Sequence, residues 1–451
     1  MGSVPPGARV YRYLFPGLIA LVLGFRLGAI VIIRPAPVID EPIHLQAVQQ
    51  FGPGLPALAQ LRDYPSATGP FFYVLFGNIG ALFGYSLTVL RLGIFALALG
   101  SLLLFYRILK RLLPTDDPLP AVALLATAPY FPALAGVFMT EHLALFLGLA
   151  ALLYYLRFRD AGKPADAVLS LLFATLAIYT RSYFIFLPAA FAIADIVANR
   201  TPYPVHRTPL TDRHSSLVTH RSALLGAALW FLPIVAFLPM ALLWRGLAPP
   251  SYQRMYHPGF QWQNASSLFI WTGIFFLPWV WRKLRPWHLL ALLAIPTVLL
   301  APLPGLGFTR TTLKLLPHPL ALVAACLFGV IGLLWYMQLV TLGRNGSRNR
   351  LTVQSPACGF ATVGTSGAPR SGTVPAIAVM SHSLPVAAIG ALLLVAGLLV
   401  SGPNVFERYL LPGIPLMLIC ARSGTRPGLA LLWAGLFQLP FALVHILRLA
   451  A

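Results

Sequence analysis

Residues 13–33 read Y-L-F-P-G-L-I-A-L-V-L-G-F-R-L-G-A-I-V-I-I, and the first polar cluster beyond them is I-D-E-P-I-H at 39–44. An apolar run of this length, interrupted by the single charge of Arg26, makes a helix of about 30 Å, the thickness of a bilayer core. It lacks a small-residue cleavage site and reads as a signal anchor. Working outward, apolar runs recur near 71–89, 92–106, 120–138, 142–156, 166–180, 182–198, 222–244, 266–281, 287–303, 318–340, 384–402, 409–421 and 428–447. Of the 451 residues 58% are hydrophobic and 10% charged, with a mean hydropathy of +0.79. A soluble domain carries roughly a quarter charged residues. A soluble enzyme, a DNA-binding protein and a disordered chain are all excluded. The expectation is an all-α polytopic membrane protein, because only helices satisfy their own backbone in lipid along such runs.

The net charge of +21 does not point to nucleic acid. The basic residues sit in short loops between apolar runs, where they set topology and meet anionic headgroups. Cys326, Cys358 and Cys420 have no metal-ligand spacing. Basic residues divide 21 to 10 between the two faces whether or not the run at 71–89 crosses. The flanks of the first helix break the tie: Arg9 and Arg12 precede it, and Arg34 alone follows closely. That favours a cytoplasmic N-terminus, a non-crossing 71–89 and about 13 transmembrane helices. The first external loop, 34–70, then carries an amphipathic or re-entrant segment.

This topology gathers Asp40, Glu41, Glu141 and Glu407 on the external face, together with Arg181, His257, Arg310, Lys314 and Arg408. With 71–89 crossing, Asp40 and Glu141 would lie on opposite sides. Asp40-Glu41 is an adjacent carboxylate pair at a membrane boundary, where desolvation is costly. It reads either as a general base on a hydroxyl or as a solvated helix exit. His44 follows at helical spacing, so a metal trio with Asp40 and Glu41 stays open. Glu141, in M-T-E-H, interrupts two apolar runs and is a functional candidate by that placement. Arg181, in T-R-S-Y, either binds phosphate or snorkels. The loop at 244–264, which holds His257, is rich in Trp, Tyr, Gln and Asn. It suits a sugar face and equally an interfacial belt. Arg310 and Lys314, in G-F-T-R-T-T-L-K, and Glu407-Arg408, opening a late run, either contact the donor phosphate or mark helix edges.

On these motifs the chain resembles the GT-C superfamily of glycosyltransferases, polytopic enzymes that use polyprenyl-phosphate sugars. The resemblance is carried by Asp40-Glu41 after the first helix, by Glu141 in a later external loop, and by E-R-Y-L-L-P at 407–412. Over about the first 200 residues there is a weaker similarity to the alpha-1,2-glucosyltransferase of the dolichol-linked oligosaccharide, through D-E-x-x-H at 40–44 and Arg181 to Ile185. Glu141 stands where that family has Asp, and the loop at 341–383 has no counterpart. The resemblance implies inverting transfer from a polyprenyl-phosphate sugar to a glycan, lipid or protein acceptor on the non-cytoplasmic face. Asp40 would be the general base or acceptor orienter, with Glu41 beside it, Glu141 would position the acceptor or help bind a metal, and Arg181 and Arg408, with His257, would hold the donor phosphate. A divalent metal is left open. Residues 1–340 then read as the catalytic transmembrane module, 341–383 as a flexible cytoplasmic loop and 384–451 as C-terminal transmembrane helices. The Arg/Ala/Leu/Pro-rich composition favours a bacterial plasma membrane over endoplasmic reticulum. The rival reading, a transporter or lipid flippase, requires polar residues along a path through the bilayer.

Overall fold

Proline and glycine set where the helices stop. The structure is a computed structural model. It describes residues 6–38, 40–64, 66, 68–112, 114, 117–128, 130–200, 226–253, 272, 387–394, 411–421 and 427–450. His257, Arg310, Lys314, Glu407, Arg408 and the loop at 341–383 lie outside the described residues.

Helix α1, Pro6–Gly28, passes through a wide turn at Ala29–Ile33 and stops at Arg34, which adopts the left-handed conformation (φ 49°). Then come α2 (Glu41–Phe51), α3 (Leu58–Arg62), α4 (Phe71–Phe83) and α5 (Leu87–Leu112). The expected single run at 120–138 is instead two short helices, α6 (Leu119–Thr127) and α7 (Tyr130–Leu134). Ala128 precedes Pro129 and is extended at ψ 127°, as the proline ring demands of the residue before it. Next are α8 (Glu141–Ala161), α9 (Pro164–Thr180), a 3₁₀ turn at Ser182–Ile185, and α10 (Phe186–Arg200). The α8–α9 corner is made by Gly162 at φ 65°, whose N–H caps the Phe158 carbonyl at 2.7 Å, and by Pro164 opening α9. After them lie α11 (Leu232–Trp244), α12 (Pro250–Gln253), α13 (Gly413–Ala421), α14 (Pro427–Leu432) and α15 (Leu439–Ala450). No strand occurs among the described residues.

Four described helices are long and apolar enough to cross a bilayer: Tyr13–Ile33, Leu87–Leu112, Glu141–Ala161 and Gly226–Trp244. The protein is an integral membrane protein. The Glu141–Ala161 helix is 78% buried over its apolar window, against 28% for Tyr13–Ile33 and Gly226–Trp244, so α8 is the most enclosed of the four. Helix α8 packs between α9 and α5, α2 lies on α4, and α11 lies on α9. The C-terminal helices close the other side, where α15 meets α7 and Thr127 donates to Gln438 Oε1 at 2.8 Å.

The two ends of this bundle differ in chemistry. Helix α8 starts at Glu141 and finishes past Arg157 and Arg159, about 30 Å away along its axis. Arg107, Lys110 and Arg111 end α5 beside that second, basic end. At the first end, Glu41 of α2 pairs with Arg91 near the start of α5. The chain between residues 41 and 91 therefore leaves that end and returns to it. It does so through α4, whose 13 residues are fewer than the roughly 20 that span a bilayer.

Candidate active site

Burial separates the two adjacent acids. Glu41 is 0% exposed and Arg91 2%. Arg91 donates to both oxygens of Glu41, Nε to Oε1 at 2.9 Å and Nη2 to Oε2 at 2.5 Å. Two backbone amides complete the set: Val38 N–H reaches Oε2 at 2.9 Å and Phe138 N–H reaches Oε1 at 2.5 Å. The rest of the guanidinium donates to the carbonyls of Pro35, at 2.7 Å, and Ala36, at 3.1 Å. A buried ion pair survives its desolvation cost only with such complete pairing. Glu41 thus ties the exit of α1, the start of α5 and the turn before α8 into one knot. Asp40, one residue earlier, is half-buried, and its carboxylate makes no cap on α2.

The same knot brings Asp40 to the end of the bundle where Glu141 opens α8, because Phe138 lies three residues before Glu141. Glu141 and Arg181 are both buried and pair at 2.6 Å, Nη2 to Oε1. Arg181 ends α9, with its own N–H on the Ala177 carbonyl at 2.8 Å. The neighbouring Thr180 carbonyl accepts the Gly69 N–H at 3.0 Å. A side chain at Gly69 would run into the backbone of Tyr179, so the loop before α4 can lie this close only with glycine there. Gly136 plays the same part before α8: a β-carbon there would strike the guanidinium of Arg26, itself fully buried in α1.

His44 is buried, and its Nδ1 lies 2.8 Å from the Tyr73 hydroxyl. That hydroxyl also meets Ser66 and, at 2.7 Å, Thr68. Tyr64 donates to the Thr68 carbonyl at 2.5 Å. Burial lifts the Tyr64 phenol well above its usual 10.0, so it stays a donor. The segment after α11 is stitched to this loop: Trp244 Nε1–H donates to the Leu61 carbonyl at 2.8 Å and Ser251 N–H to Asp63 at 3.3 Å. Tyr252 follows Ser251, and its phenol is raised by burial and by the Asp40 carboxylate.

The acid–acid–His trio at 40–44 is not assembled as a chelate, since Glu41 is committed to four N–H donors. Among the described residues no three His, Cys, Asp or Glu side chains are grouped to hold a metal ion. The structure thus gathers Asp40, Glu41, His44, Glu141 and Arg181 at one end. Arg91, Tyr73, Ser66, Thr68 and Tyr252 were not singled out in the sequence. Arg91 had a signal: an arginine wedged between apolar runs ending at 89 and starting at 92 needs a buried partner.

Residues 67–238 match the family model of dolichyl-phosphate-mannose-protein mannosyltransferases. The matched segment contains Arg91, Glu141 and Arg181, and it begins after Asp40 and Glu41. The resemblance to polyprenyl-phosphate-sugar glycosyltransferases is thus met by a family comparison as well as by motifs. No curated protein matches the chain. Two crystal structures of ArnT from Cupriavidus metallidurans are similar to it at 16% sequence identity. The undecaprenyl-phosphate-bound form gives a TM-score of 0.39, over 98% of this chain and 77% of that one. The apo form gives 0.37, over 97% and 77%.

Proposed function

We propose that the protein is a membrane glycosyltransferase that moves one sugar, with inversion, from a polyprenyl-phosphate donor to a hydroxyl acceptor on the non-cytoplasmic face. The observation that carries this reading is the Glu41 knot, which sets the half-buried Asp40 at the end of the bundle that holds the Glu141–Arg181 pair. The family match over 67–238 supports the donor class, since its description names a dolichyl-phosphate sugar. The side follows from charge. Arg107, Lys110, Arg111, Arg157, Arg159 and Lys163 crowd the other end, which the positive-inside rule gives to the cytoplasm.

In this mechanism Asp40 takes the proton of the acceptor hydroxyl as its oxygen bonds to the anomeric carbon. The bond from that carbon to the phosphate oxygen breaks, and polyprenyl phosphate leaves. Arg181, steadied by Glu141, stabilises charge on the departing phosphate. Arg310, Lys314, His257, Glu407 and Arg408 are the sequence candidates to complete that hold. Glu41 and His44 position the loop rather than react. The acceptor is a glycan, lipid or protein bearing a free hydroxyl. Leu55 and Leu58, 92% and 70% exposed between α2 and α4, provide an apolar lip for lipid access.

The test is label transfer by purified protein in liposomes, from a panel of polyprenyl-phosphate hexoses and pentoses to a membrane-extract acceptor. Label should leave one donor, and Asp40→Asn should abolish transfer with an unchanged melting curve. Wild-type turnover by that variant, or no transfer from any donor by folded protein, overturns the reading. The second outcome makes lipid flipping the next assay.

A further inference from the structure

The basic end of the bundle holds a cavity of about 380 Å³, lined by Arg107 and Arg111 of α5, Leu153, Arg157 and Ala161 of α8, and Lys163 and Asp166 at the start of α9. Two of its cations are pinned. Arg111 pairs with Asp160 at 2.6 Å, and Arg157 pairs with Asp166 at 3.1 Å while lying over the Tyr154 ring. Arg107 and Lys163 make no ion pair among the described residues. Among the described residues, four cations against two carboxylates leave an excess of two positive charges around one hollow. Helix α5 runs 20 residues from Arg91, in the knot at the far end, to Arg111, about 30 Å of rise. That distance sets the cavity at the headgroup depth of the opposite leaflet. Leu153 gives it an apolar wall on the hydrocarbon side.

We propose that this cavity binds the phosphate of an anionic glycerophospholipid headgroup from that leaflet. Arg111 and Arg157 are the pre-ordered donors, Arg107 and Lys163 are the cations the phosphate neutralises, and the first acyl carbons lie along Leu153. General headgroup attraction spreads over every exposed cation. A lined hollow with two pinned and two unpaired cations instead discriminates by position. The site lies at the opposite end from the catalytic knot and does not rest on the proposed transferase activity.

The test uses the full-length protein in detergent, titrated with phosphatidylglycerol, phosphatidylcholine or sodium phosphate while melting is followed. Phosphatidylglycerol alone should raise the melting midpoint. Arg107→Gln and Lys163→Gln should each weaken its half-saturation roughly fivefold. Arg107→Lys should stay near wild type, as should Lys110→Gln, an exposed cation of the same helix turn outside the cavity. Lys163→Gln, at an exposed loop position, carries the test if Arg107→Gln does not accumulate. Equal response to phosphatidylcholine overturns the proposal. So does an equal loss in Lys110→Gln, which would mean a diffuse basic belt. Reproduction of the shift by sodium phosphate would mean a free-anion site and also overturns it.

Discussion

Asp40 is half-exposed and leaves the helix behind it uncapped, whereas Glu41, one residue on, is fully buried and accepts four N–H donors. Adjacent carboxylates of nearly the same intrinsic acidity have thus been given opposite environments. The buried one has no oxygen to offer a substrate. Its work is to fix the backbone from Pro35 to Glu41 against α5 and α8, which leaves Asp40 presented on a rigid support. A reacting group held within a fraction of an ångström needs neighbours of this kind. Glu41→Ala should have the strongest consequence. It strands the Arg91 guanidinium in a buried site, which typically costs about 3–5 kcal/mol. The variant should lose folded protein from detergent extracts, and Glu41→Ala/Arg91→Leu should recover part of the loss. A wild-type melting midpoint for Glu41→Ala would remove the structural half of the contrast.

Asp40→Asn addresses the other half. Asp40 is half-exposed and the amide keeps its size and shape, so stability should stay within about 0.5 kcal/mol of wild type. Transfer should fall by on the order of 10²–10⁴, the worth of a positioned general base. Turnover and melting are measured on the same preparation. A fall in stability matching the fall in turnover would make Asp40 a second structural acid.

How much of this was visible in the chain differs from place to place. The helix at 13–33 and the acids at 40–41 and 141 follow from hydropathy and charge alone. For the run at 71–89 the chain offered only a faint imbalance of cations around the first helix. The partner of Glu41 was out of reach because Arg91 lies 50 residues away, and pairing across that distance is decided by packing, not spacing. The acid–acid–His spacing suggested a metal trio, yet helical proximity does not say where each side chain finds its donors. The break at Ala128 was legible in Pro129, but was outweighed by an unbroken apolar run. Asp195, near the end of an apolar run, reads in the sequence as a structural pairing or a snorkelling charge, with no partner named. In the fold it accepts from Tyr155 at 2.6 Å, Arg159 at 2.7 Å and the Trp230 indole at 2.9 Å, binding α8 to α10 at the end opposite Glu141.

A smaller effect sharpens the role of the loop that carries Asp40. Tyr73→Phe removes the hydroxyl shared by His44, Ser66 and Thr68. Leaving buried polar groups without that partner costs roughly 1–3 kcal/mol. Melting should show the loss. If the network positions the loop, turnover per folded molecule should drop several-fold as well; a purely structural role would leave turnover unchanged.

The smallest effect at neutral pH concerns Tyr64, and it grows with alkali. Its folded phenol titrates above the usual 10.0 because burial disfavours the phenolate, with further upward contributions from Tyr73 and Asp63. The folded state therefore keeps a proton that the unfolded chain releases near pH 10. Stability from this group is fully present below that pH and is lost as pH rises through the folded value. Wild-type melting should fall steeply from about pH 10 upward. Tyr64→Phe should flatten part of that fall while costing about 1 kcal/mol at pH 7, for the bond to the Thr68 carbonyl. An unchanged alkaline slope in the variant would mean that Tyr64 ionises as easily in the fold as in the free chain. The packing of this loop against Trp244 would then be looser than the edge-on ring contact at 5.9 Å requires.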